Sequence, residues 1–177
     1  MLTLTQHLSQ YAAYHRDRRN IATHFVGIPM IVFAVIVLLS RPAWSLGVLT
    51  VTPALLVSLV TTVFYLKLDL RYGLVMGILL ALGVEVAAPF HSVSTTEWLS
   101  WGLGLFFVGW VIQFIGHYYE GKKPAFVDDL IGLVIGPLFV VAELGFILKM
   151  RREIEHAITH NVGPTYIRDL SAPQSQS

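Results

Sequence analysis

The sequence predicts an all-α protein, a polytopic membrane helical bundle of about four spans followed by a broken or re-entrant last helix. Two observations predict it. Hydrophobic residues make up 55% of the 177-residue chain and charged ones only 13%, with a mean hydropathy of +0.66, well above the apolar share of a soluble domain. The apolar residues also gather into runs of near-spanning length, separated by short polar stretches that carry most of the charge.

The first run covers residues 24–39 and stops at Ser40, Arg41 and Pro42, where proline disfavours continuation. A second covers 44–66 and ends in Lys67, Asp69 and Arg71; a third covers 72–88, before Pro89; a fourth covers 98–115 and leads into the polar stretch 117–123. The last, 130–148, has Gly136 and Pro137 adjacent near its middle, so the break is expected there, between two half-helices. Residues 1–170 then form one integral membrane domain, and 171–177, SAPQSQS, a polar disordered tail.

Basic residues fall at Arg16, Arg18 and Arg19, at Lys67 and Arg71, at Lys122 and Lys123, and at Lys149, Arg151 and Arg152, while the alternate loops hold little beyond Arg41. The positive-inside rule places both termini and the polar clusters on the cytoplasmic side, with the inner membrane of a bacterium as the expected location. A fifth full span would strand Arg151 and Arg152 on the wrong face, hence the expectation that the last helix re-enters. The start of the chain lacks the pattern of a cleaved secretory signal.

The net charge of +1 gives no basic field of the kind that gathers nucleic acid. With no cysteine in the chain, disulfides, thiolate nucleophiles and thiolate-held metals are excluded, which leaves metal chemistry to His, Asp and Glu. No Gly-rich phosphate loop, G-x-S-x-G elbow or H-E-x-x-H helix is present.

Two polar clusters interrupt the apolar chain. His15, Asn20 and His24 lie in the first, and Gln113, His117 and Glu120 in the second. Ionisable groups at membrane depth are costly, and metal binding is one reason to keep them there. Neutral imidazoles suit iron, zinc and copper, and two histidines with a carboxylate make the facial set of oxygen-activating ferrous enzymes. Asn20 and His24 share a helix face, as do His117 and Glu120. His15 and His24 are nine residues apart and oppose each other on an unbroken helix, so a shared metal requires a break between them.

Other readings stand beside this one. A histidine at a membrane boundary is commonly an interfacial residue with one wet edge, and Arg16, Arg18, Arg19, Lys122 and Lys123 suit either a substrate carboxylate or lipid headgroups. His7 reads as incidental and His91 as structural, and His156 and His160 lie on a solvated helix. Glu143 would turn inward if the last helix breaks. A small transporter or channel built on that broken helix, and a metal-free structural or lipid-binding bundle, are the alternatives to an enzyme.

The stretches YHRDRRNIATHFVGIP (14–29) and QFIGHYYEGKKPAFVDDL (113–130), followed by GPLFVVAE (136–143), resemble the 2-hydroxy fatty acid dioxygenase family of small membrane proteins, which includes an enzyme of phytosphingosine breakdown. The pattern H-x4-N-x3-H-x2-G-x-P falls on His15, Asn20, His24, Gly27 and Pro29, and Q-x2-G-H on Gln113, Gly116 and His117. The resemblance implies an Fe(II)-dependent α-oxidation in which a 2-hydroxy fatty acid and O2 give the acid one carbon shorter plus CO2. It implies His15, His24 and His117 as metal ligands and catalytic residues, supported by Asn20, Gln113, Glu120 and Glu143. In some members three residues separate the second-motif His from its Glu. This chain has two, which turns Glu120 about 100° around a helix and assigns it a supporting role. The lipid substrate and the surrounding membrane lipids are the implied partners.

Overall fold

The computed structural model describes residues 2–47 and 49–171; of the expected tail, residues 172–177 lie outside the described residues. The helices are α1 (Leu4–Ala12), α2 (Arg18–Leu38), α3 (Pro53–Leu68), α4 (Leu70–Ala87), α5 (Thr95–Glu120), α6 (Gly132–Ile147) and α7 (Arg152–Val162). Strands β1 (Trp44–Leu46) and β2 (Leu49–Val51) make one short antiparallel hairpin. The chain divides into two compact units, Met1–Ile28 with Val111–Ser177, and Pro29–Trp110. Helices α2 and α5 contribute to both.

Among the described residues, three helical stretches are long and apolar enough to cross a membrane, Arg18–Leu38, Leu70–His91 and Thr95–Glu120, and the α6–α7 pair is the bent final element. Large hydrophobic side chains face outward along α3 and α4, among them Leu56, Val60, Val63, Leu74, Ile78 and Leu82. Such outward-facing surface fits a bilayer rather than water.

In the Pro29–Trp110 unit, the expected second span is shorter than its apolar run. Residues 44–51 pair as the hairpin, and α3 starts only at Pro53, capped by the Thr52 hydroxyl, which accepts from the Leu55 amide at 3.2 Å. At 16 residues the helix is about 24 Å long, less than a hydrocarbon core. Asp69 ends α3 and caps α4, accepting from the Tyr72 amide at 3.0 Å. The α3–α4 hairpin closes tightly because Gly73 has no side chain; a Cβ there would meet the Leu66 backbone at 2.5 Å.

The other unit is built on α1, whose Thr3–Gln6 capping box fixes its start. Leu4, Leu8, Tyr11 and Ala12 make its buried stripe, which packs on α6 and α7. The break in the last helix falls elsewhere than expected. Helix α6 runs unbroken through Gly136 and Pro137, and the turn comes after Ile147, with α7 at 113° to α6. Proline removes a single ladder bond near the beginning of α6, whereas Lys149 and Arg151 adopt left-handed φ of 60° and 51°, which ends the helix outright. Ile154 and Ile158, one turn apart, seat α7, so the helix expected to be solvated has one buried face.

Candidate metal centre

The break required for His15 and His24 to meet is present: α1 ends at Ala12 and α2 begins at Arg18. Asp17 caps α2, its carbonyl accepting from the Ile21 amide at 3.1 Å and its carboxylate from the Arg19 amide at 2.8 Å. The connecting loop presents His15, the first turns of α2 present Asn20 and His24, and the last turns of α5 present Gln113, His117 and Glu120.

His15, His24 and His117 converge, with exposures of 0%, 2% and 7%. Their ring centroids lie 4.5 Å (His15 and His24), 4.9 Å (His15 and His117) and 5.3 Å (His24 and His117) apart. One nitrogen from each lies within 4.8 Å of the other two, so the group can hold a metal ion. The hydrogen bonds define the donor set. His15 Nδ1 sits 2.7 Å from the Tyr11 carbonyl and His24 Nδ1 2.9 Å from the Asn20 carbonyl. Because a carbonyl only accepts, both Nδ1 atoms carry the proton and both Nε2 atoms keep a lone pair. Among the described residues, His15 Nε2 and His117 Nδ1 are buried without a partner, which suits them to ligate a metal. Burial, reinforced by the neighbouring His24, pushes the His15 imidazole well below its ordinary pKa, which keeps it neutral and able to ligate. These residues fit a metal.

The wall of the cluster is aromatic. The Tyr11 ring stacks on His15 at 4.1 Å and 6°, and Phe139 of α6 lies 5.0 Å from Tyr11 and 5.7 Å from His15. Where α2 passes α5, a Cβ on Gly116 would collide with Thr23 Oγ1 and Asn20 Oδ1, so the motif glycine is what lets His24 and His117 approach.

Glu120 stands apart from the three-histidine group. Its carboxylate accepts the Arg16 amide at 3.0 Å, the Asp17 amide at 2.8 Å and the Asn20 side-chain amide at 3.1 Å. It therefore holds the His15 loop and the start of α2. Glu143 faces Arg16 at 3.5 Å. Arg16 is itself buried, donating to the carbonyls of Ala12, His15 and Gly163 at 3.1 Å, so its charge is spent inside the fold rather than on lipid headgroups. Gln113 is buried one turn before His117 with its Nε2 unpartnered. Among the described residues it makes no hydrogen bond to a histidine. His7, His91, His156 and His160 do not join the cluster.

Sequence reasoning passed over three contributors. Asp17 is fully buried. Burial alone would raise its pKa, but hydrogen bonds from Arg19 and from the Arg168 amide hold it below its ordinary value. An Asp just before a long apolar run is an N-cap signal and could have marked it. Tyr11 has no local signal beyond its place one turn before His15. Tyr166, whose backbone pairs with residues 16 and 18, has none.

A membrane-type helical bundle with a buried cluster of three histidines that could hold a metal ion is the class that fold and site define. The chain belongs to the Mpo1-like family, described as "2-hydroxy-palmitic acid dioxygenase Mpo1-like", whose model matches residues 1–148. It is similar to the 2-hydroxy-palmitic acid dioxygenase MPO1 of Saccharomyces cerevisiae, with 34% identity over 162 residues that cover 88% of this chain and 90% of the yeast protein. No solved structure matches the chain.

Proposed function

We propose that this protein is an Fe(II)-dependent dioxygenase that converts a 2-hydroxy fatty acid and O2 into the fatty acid one carbon shorter, CO2 and water. The observation that carries the reading is the set of three buried imidazoles with one nitrogen each within 4.8 Å of the other two, in a chain whose family and yeast relative carry the name 2-hydroxy-palmitic acid dioxygenase. His15, His24 and His117 would hold the metal. When bound, the ferrous ion supplies the one-electron chemistry that O2 needs to react with a closed-shell acid.

The chain's own residues do the rest. The carbonyls of Tyr11 and Asn20 fix the His15 and His24 tautomers. Glu120 anchors the loop and Asn20, and the Glu143–Arg16 pair braces that loop from α6. Tyr11 and Phe139 keep water from the histidines, which suppresses side reactions of activated oxygen. Gln113, a buried donor without a protein partner, is suited to a substrate oxygen. Three ligands from the protein leave the remaining coordination positions to substrate and O2. We place the protein in a bacterial inner membrane with both termini and the cluster on the cytoplasmic side, supported by the basic residues flanking the cluster.

The test is to give detergent-purified protein Fe(II), O2 and 2-hydroxypalmitate and to quantify pentadecanoate and CO2. The reading expects one of each per O2 consumed; protein that is loaded with iron yet leaves the hydroxy acid intact overturns it.

A further inference from the structure

The segment after α7 lies beyond the part of the chain that the family model matches, yet it is bound to the histidine loop throughout. Gly163, at φ 84°, turns the chain back toward that loop. The Tyr166 amide donates to the Arg16 carbonyl at 2.9 Å and the Arg18 amide to the Tyr166 carbonyl at 2.9 Å, a parallel bridge centred on Asp17 and Tyr166. The Arg168 amide donates to Asp17 Oδ2 at 2.7 Å, and its carbonyl accepts from Arg19 at 2.7 Å. Arg16 completes the linkage, since one guanidinium donates to both the His15 and the Gly163 carbonyls at 3.1 Å.

We infer that residues 163–168 form a strap that positions His15, so that tight metal retention depends on the strap's backbone hydrogen bonds to Arg16, Asp17 and Arg18. This rests on the three-histidine reading above. His15 is the only ligand of the three outside a helix; its amide bonds the Ala12 carbonyl at the end of α1 at 3.0 Å, but no helical ladder continues through the residues that follow it. Two features stand in for that ladder: the Glu120 carboxylate on one side of the loop, and the strap with Asp17 on the other. Metal sites are sensitive to supports of this kind, whose loss commonly lowers affinity by about 10–100-fold. Tyr166 and Arg168 are positioning residues, acting through Arg16 and Asp17.

The experiment follows Co(II) in the full-length protein. Its visible absorption reports the ligand field, and its release to excess chelator gives an off-rate that needs no turnover. Arg168→Pro removes the amide that Asp17 accepts, whereas Arg168→Ala keeps that amide and removes only the guanidinium. A chain ending at Val162 removes the strap entirely. The expected result is release faster by about tenfold or more with an altered cobalt spectrum in Arg168→Pro and in the shortened chain, and release within about threefold of wild type in Arg168→Ala. Metal-free Arg168→Pro should keep the helical circular dichroism of Arg168→Ala, which separates positioning of the loop from loss of the fold. Wild-type release and spectrum in folded Arg168→Pro overturn the strap's role while leaving the histidine centre standing. A wild-type protein that holds no cobalt overturns the centre and the strap together.

Discussion

The Glu120 carboxylate accepts the Asp17 backbone amide at 2.8 Å, joining the end of α5 to the start of α2. It also takes the Arg16 amide and the Asn20 side chain, so Glu120→Ala would leave the buried Arg16 and Asp17 amides without an acceptor and leave Asn20 only its 3.3 Å bond to the Tyr14 carbonyl. At roughly 1–3 kcal/mol for each such group, the variant should lose several kcal/mol of stability along with its metal, whereas Glu120→Gln should keep part of both. Thermal unfolding of the metal-free variants checks this. A Glu120→Ala protein of wild-type stability that merely fails to bind metal would instead mark Glu120 as a ligand.

The motif glycine gives a second prediction. Gly116→Ala puts a methyl group onto Thr23 Oγ1 and Asn20 Oδ1, so α2 or those side chains must shift. Overpacking of this kind costs about 1–3 kcal/mol, and displacing the turn that carries His24 should weaken metal binding by about 10–100-fold. Cobalt titration of the variant measures the loss; unchanged affinity would show that the close approach plays no part in the site.

Gln113 should behave in the opposite way. Its Nε2 is buried without a partner, so Gln113→Leu removes an unsatisfied donor and should change stability by no more than about 1 kcal/mol. Metal content should stay at the wild-type level while the KM for the hydroxy acid rises. Loss of metal in this variant would assign Gln113 to holding His117 instead.

Acid should destabilise the metal-free protein in a defined window. His15 has a folded pKa well below 6.5, so the unfolded chain takes up a proton that the folded chain refuses. Stability is therefore undiminished above about pH 6.5 and falls as pH drops below it, by at most about 1.4 kcal/mol per pH unit for this one group. Melting temperatures from pH 8 to pH 5, compared with His15→Gln, isolate the contribution. A wild-type curve parallel to that of the variant would contradict it.

Much of this site was legible in the sequence because polar residues are conspicuous in an apolar chain. His15, Asn20 and His24, and Gln113, His117 and Glu120, stand out as two clusters. The nine-residue spacing of His15 and His24 required the break that the fold contains between Ala12 and Arg18. What escaped was set by tertiary contact or by ambiguous composition. The pairing of Tyr166 with residues 16 and 18 spans about 150 residues of sequence and leaves no periodic trace. Apolar residues 44–51 fit a membrane helix and a hairpin equally well. The turn at Lys149 and Arg151 relies on left-handed residues that are not glycine, so the adjacent Gly136 and Pro137 drew the expected break to the wrong turn.

The proposed chemistry requires three histidines sharing one ferrous ion. The most direct measurement is anaerobic metal analysis of wild-type protein beside His15→Ala, His24→Ala and His117→Ala, each reconstituted with Fe(II) and desalted. The expected result is about one iron per wild-type chain and near-complete loss in each variant while the helical circular dichroism is retained. Iron retained in full by any one of the three folded variants would contradict it.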